Sequence, residues 1–171
     1  GAFTYPTAPV FTGAGTAIMT GGSLPLPGDL LTNLVIKAGT LILGPGFQGG
    51  SITNLTLTGQ PFITLAGTNT VSGILNLTNG TIQGPLTIAA NATVSLTNGS
   101  IQGPLTIASN GVLNWRNNGS GLDTLGGSGA PILVEGTFNW SGGKISGPLT
   151  TTPGAVLNWS GGASSVLTAL T

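Results

Sequence analysis

The chain has 171 residues, of which only three are basic and three acidic, so its formal net charge is zero. Charged residues make up 4% of it, where roughly a quarter is usual, which excludes a basic nucleic-acid patch and a polybasic membrane anchor. Cys and His are absent, and with them go disulfides, thiol chemistry, a zinc site of the usual ligand set and imidazole acid–base catalysis.

Low charge does not predict disorder here, because hydrophobic residues reach 39% and recur at regular intervals. No apolar run approaches the ~18 residues of a membrane-spanning helix, so no membrane span is expected.

Residues 1–22 (GAFTYPTAPVFTGAGTAIMTGG) stand outside the pattern that follows. They contain Phe3, Tyr5 and Phe11, with Pro6 and Pro9 favouring an extended path. We read them as an N-terminal arm or an irregular first coil.

From Ser23 to the end at residue 171 a period sets in. Asn33-Leu34 and Asn54-Leu55 lie 21 residues apart, and Leu55 and Leu75 lie 20 apart. The period is clearest in a tandem repeat, LTNGTIQGPLTIAANATVS from Leu77 and LTNGSIQGPLTIASNGVLN from Leu96. Aligned without gaps, these share 13 of 19 positions. Repeats of this length mark stacked architectures.

Each unit holds three short apolar stretches. The first alternates strictly, as in Val94-Ser95-Leu96, Leu113-Asn114-Trp115, Phe138-Asn139-Trp140 and Leu157-Asn158-Trp159. A period of two means a strand with one buried face. The second is centred on Ile82, Ile101 and Ile145, and the third on Leu86, Leu105, Ile132 and Leu149. Turn residues such as Asn79-Gly80 and Gly84-Pro85 separate them. No stretch favours a helix.

The expected fold is therefore all-β: a parallel β-solenoid of about 19 residues and three short strands per coil. About eight coils at ~4.8 Å each would make a rod of about 40 Å. The strict hexapeptide pattern of left-handed solenoids is absent, so the expected hand is right. Leu77, Leu96, Trp115, Trp140 and Trp159 should form one inward core ladder, with Asn76, Asn114, Asn139 and Asn158 as an outward column able to hydrogen-bond from coil to coil. The stretch 116–130 interrupts the period. It is expected to replace the Ile-centred strand with a loop, and such insertions often carry binding.

The unit (L/W)(T/S)(N/G)G(T/S/K)I(Q/S)GPLT, followed by a turn and a (V/L)N(L/W) strand, resembles the degenerate repeats of bacterial surface β-helix proteins. Among these are filamentous-haemagglutinin-type adhesins and autotransporter passengers. The resemblance covers about Leu34 to Trp159. It implies a secreted or surface-displayed right-handed β-helix used for reach, adhesion or assembly. It offers no catalytic residues.

Pectin lyases and polygalacturonases use a fold of this kind, but with clustered Asp beside Arg or Lys. Here the carboxylates are Asp29, Asp123 and Glu135 alone. Only the last two could approach each other, and two solvated turn residues are the expected reading. No catalytic residue, metal ligand or cofactor is assigned, and no enzyme is expected.

Acceptor triplets for N-glycosylation begin at Asn54, Asn76, Asn79, Asn91, Asn98, Asn118, Asn139 and Asn158, though an Asn/Thr/Ser repeat generates them by accident. Thr78 and Thr97, or Thr87, Thr106 and Thr150, form outward Thr columns one residue wide, and Arg116 interrupts the first.

The ends of a solenoid are open strand edges unless charges, Pro or a cap blunt them. Residues 163–171 (ASSVLTALT) are apolar and uncharged. Phe3, Tyr5 and Phe11 at one end, with Val166, Leu167 and Leu170 at the other, are the candidate assembly residues. The leading expectation is an extracellular or cell-surface structural subunit that stacks end to end on itself. The alternatives are an adhesin segment that binds surface glycans and, third, an ice-binding protein.

Overall fold

The computed structural model describes residues 17–28, 34–67, 69–118 and 123–160. The chain coils turn by turn. The first turns carry β1 (Ala17–Met19) and β2 (Ser23–Leu26), β3 (Leu34–Ile36) and β4 (Ala38–Leu43), then β5 (Ile52–Leu57) and β6 (Gln60–Leu65). Next come β7 (Thr70–Thr78), β8 (Thr81–Gln83) and β9 (Leu86–Ile88), followed by β10 (Thr93–Thr97), β11 (Ser100–Ile101) and β12 (Leu105–Ile107). The last turns hold β13 (Val112–Arg116), β14 (Thr124–Leu125) and β15 (Ile132–Val134), then β16 (Thr137–Ser141), β17 (Lys144–Ile145) and β18 (Leu149–Thr151), and finally β19 (Val156–Trp159).

Every pairing is parallel, each strand matching its equivalent one coil away. The fold is thus the expected all-β parallel solenoid, with about seven turns rather than eight. The shortfall has a plain cause. The step from Asn114 to Asn139 takes 25 residues, against 19 from Asn139 to Asn158, and residues 161–171 lie outside the described part. At ~4.8 Å per coil the stack is about 34 Å long.

The strands form three faces. The first runs β5, β7, β10, β13, β16, β19, while β1 and β3 pair with each other in a separate two-stranded sheet. The second runs β2, β4, β6, β8, β11, β14, β17. The third runs β9, β12, β15, β18 and is joined to the first by β7. This nine-residue strand turns the corner: Thr70 and Val71 pair with Thr87 and Ile88, while Ile74 to Thr78 pair with Thr93 to Thr97. Before β7 the third face has no strand among the described residues. A 3-10 turn, Phe47–Gly50, lies there instead, and it buries Phe47.

Alternation explains the core. In β10, Val94 and Leu96 are buried while Thr93, Ser95 and Thr97 are half-exposed. Stacked across coils, such positions become continuous columns of buried Leu, Ile, Val, Phe and Trp, each side chain worth ~1.5–3 kcal/mol relative to exposure. At the corners Asn79 and Asn98 adopt positive φ, 57° and 50°, a conformation Asn tolerates better than most residues.

One expectation is corrected. The stretch after Trp115 does not lose the second-face strand. Thr124–Leu125 forms β14, and Leu125 stands in register between Ile101 and Ile145. A buried Leu fills the Ile column, and the extra residues fall at the corners on both sides of it. Trp115 to Leu125 takes 10 residues against 5 from Trp140 to Ile145, and Leu125 to Ile132 takes 7 against 4 from Ile145 to Leu149, the second excess held in the 3-10 turn Gly127–Gly129. Residues 119–122 of that insertion lie outside the described part.

Candidate functional site

The first face carries the candidate site. Its inward column is Leu57, Leu77, Leu96, Trp115, Trp140, Trp159, each in register with the next. Leu77, Leu96, Trp115 and Trp140 are buried, as expected of a core ladder. Trp159 is the exception at 62% exposed, because β19 has β16 on one side and, among the described residues, no strand on the other.

The indoles are near-parallel. Centroids are 6.3 Å apart for Trp115 and Trp140 and 5.3 Å apart for Trp140 and Trp159, at 13° and 14° between planes. Phe138 stacks on Trp140 from the neighbouring inward column at 6.2 Å. The two buried indole N–H groups each find a corner carbonyl: Trp115 Nε1 donates to Gly99 O at 2.9 Å and Trp140 Nε1 to Gly142 O at 2.8 Å. A buried Trp needs such a partner, and the glycine-bearing corners supply it.

The outward surface of the same strands is three residues wide. Its central column is Thr56, Asn76, Ser95, Asn114, Asn139, Asn158. The expected coil-to-coil bonding is present: Asn139 Nδ2 donates to Asn114 Oδ1 at 2.7 Å, Asn158 Nδ2 to Asn139 Oδ1 at 2.8 Å, and Asn76 Nδ2 to Thr56 Oγ1 at 3.2 Å. On one side runs Ile74, Thr93, Val112, Thr137, Val156, and on the other Thr78, Thr97, Arg116, Ser141. Hydroxyls therefore share this face with methyls and amides, and the exposed Arg116 adds its one positive charge. An open cleft of about 520 Å³ lies against the last rungs, lined by Asn114, Arg116, Asn139, Ser141, Asn158 and Ser160 together with Leu157 and the Trp column.

The remaining candidates fall as follows. Phe3, Tyr5, Phe11, Val166, Leu167 and Leu170 lie outside the described residues, as does Asp29. Asp123 precedes β14 at the corner between first and second faces, whereas Glu135 follows β15 at the corner between third and first. Among the described residues no group of three or more acidic, His or Cys side chains could hold a metal ion. No described helix is long and apolar enough to cross a membrane.

Sequence reasoning missed Met19 and Ile18. β1 pairs with β3 so that Met19 meets Ile36, a step of 17 residues that the 19-residue period does not pick up. Met19 is half-buried and Ile18 is 56% exposed. Comparison with family models, curated proteins and solved structures finds no match to this chain.

Proposed function

We propose that this chain is an extracellular structural protein, a β-solenoid rod that builds a fibre by stacking end to end. The observation that carries the reading is the β19 rung, where the Trp and Asn columns arrive with Trp159 62% exposed and Val156 45% exposed. A further rung set against it would gain the parallel ladder that every interior coil has, together with an indole face to pack on. Neutrality supports the same reading, since no net charge holds copies apart. Placement outside the cell rests on the resemblance to surface-displayed repeats. The reading assigns no reaction and no cofactor.

Negative-stain electron microscopy with light scattering tests it on the purified chain. Filaments one rod wide that grow with concentration are the expected result. Dispersed short rods at high concentration would overturn it.

The cleft favours a second reading, an adhesin that binds a surface glycan. An open groove flanked by amides, hydroxyls, an exposed indole and one guanidinium suits an acidic sugar chain, because Arg grips a carboxylate with two parallel bonds. Glycan-array binding that disappears in Arg116→Ala would favour it over the fibre.

A further inference from the structure

We infer that the fibre junction is head to tail, the β19 edge of one copy lying against the β1 edge of the next so that Trp159 meets the Met19 side chain of the second copy. The inference rests on the fibre reading and specifies its contact.

Met19 stands on the first described strand and Trp159 on the last, at positions that the repeat aligns. Met19 is in register with Ile36. In the sequence, the 21-residue step that relates Asn33-Leu34 to Asn54-Leu55 aligns Ile36 with Leu57, although β1 and β3 form a two-stranded sheet of their own and no pairing joins β3 to β5 among the described residues. From Leu57 the strand register runs through Leu77, Leu96, Trp115 and Trp140 to Trp159. Each residue aligned between them, Ile36 and then Leu57 to Trp140, is at most 3% exposed. The members at the two ends are not: Met19 is half-buried and Trp159 is 62% exposed.

The two edges fit each other. β1 pairs with β3 alone and β19 with β16 alone among the described residues, and both pairings are parallel. Setting β19 against β1 continues the ladder in the same direction. It places a flexible thioether on an indole face, a contact sulfur and aromatic rings favour. Neither strand carries a charged residue, so no like-charge pair opposes the approach. The two surfaces differ, so the contact is heterologous and each junction leaves a fresh β19 edge free at the far end. It therefore propagates rather than closing.

The absence of cysteine makes the test specific. In the proposed junction Ile18, one residue before Met19, stands opposite Asn158, one residue before Trp159. Both side chains are exposed, and replacing them leaves Met19 and Trp159 intact. Within one copy about seven turns separate them, or about 34 Å, while a disulfide needs Cα atoms within ~7 Å. Under mild oxidation, Ile18→Cys mixed with Asn158→Cys is expected to give reducible dimers. The double variant Ile18→Cys/Asn158→Cys should give a ladder of higher species, and each single variant alone should stay uncrosslinked. Trp159→Ala in the double background is expected to reduce crosslinked product at least tenfold. Filaments by microscopy without crosslinking would overturn the junction and leave the fibre standing. Absence of filaments in the native chain would overturn both. Equal crosslinking in a single variant would show a head-to-head or tail-to-tail contact and refute this one.

Discussion

Trp140 and Trp159 lie face to face with ring centroids 5.3 Å apart and planes 14° from parallel, yet one is 2% exposed and the other 62%. The same column position thus reports two environments. Trp140 has Trp115 on its other face and its Nε1 bonded to Gly142 O. Truncating it empties an interior rung of the ladder. Trp140→Ala is expected to cost about 3–5 kcal/mol. Trp159→Ala, measured where the chain is monomeric, should cost less, about 1–2 kcal/mol, since well over half of its surface is exposed. Denaturant unfolding followed by circular dichroism checks both values. Equal costs would mean that Trp159 is covered in solution.

The amide column makes a coupled prediction. Asn139 donates to Asn114 and accepts from Asn158, so Asn139→Ala removes two bonds and Asn158→Ala one. With Asn139 half-buried and Asn158 exposed, the expected losses are about 1–2 and at most about 1 kcal/mol. Asn114→Ala combined with Asn139→Ala should cost less than the two singles added, because the singles share one bond. A coupling of ~0.5 kcal/mol or more in the double-mutant cycle is the expected outcome. Strict additivity would show that the ladder does not form in solution.

How much of this was legible beforehand follows from where the period is strict. Between Leu77 and Trp115 the 19-residue step sets register, inward columns and the outward Asn column together, because a one-residue slip would expose every Leu. Trp159 belongs to that column by spacing, but spacing says nothing about what lies beyond a rung, so its exposure was not foreseen. Leu125 was missed because the lengthened corner hides its step from Ile101, and a lone Leu among Gly and Ser carries no alternation. Met19 was missed because the first step is 17 residues and the apolar residues around it do not alternate. The outward face was read one column at a time, and its full width emerged only when β10, β13 and β16 were set side by side.

Ser100 is the buried polar residue among those described, and its Oγ accepts a hydrogen bond from Thr124 N at 2.9 Å. The bond ties β11 to β14 at the end of the lengthened corner and fixes where β14 rejoins the second face. Ser100→Ala leaves the Thr124 N–H without that acceptor in a half-buried place, an expected loss of about 1–2 kcal/mol. Amide exchange should localise it. Thr124 and Leu125 are expected to exchange faster, while Leu105 to Ile107 on the third face keep their protection. Uniform acceleration would mean that the corner is not held separately from the rest of the coil.

Two glycines with nearly the same backbone separate strain from packing. Gly143 has φ +94° and Gly154 φ +89°, both left-handed values that an L side chain resists, at ~1–2 kcal/mol. They differ in what a methyl group would meet. At Gly143 a Cβ would overlap Cη2 and Cζ2 of Trp115, whereas at Gly154 nothing lies within 4 Å. Trp115 is buried and its Nε1 is tied to Gly99 O, so it cannot swing away without losing that bond. Gly154→Ala should therefore cost about 1 kcal/mol from backbone strain alone. Gly143→Ala should cost about 3 kcal/mol or more, strain plus the repacking of an overfilled core, and should also shift the near-ultraviolet dichroism of the tryptophans. Similar losses at both positions would show that the corner relaxes freely, and that the indole column, not the glycine turn, adjusts to the other.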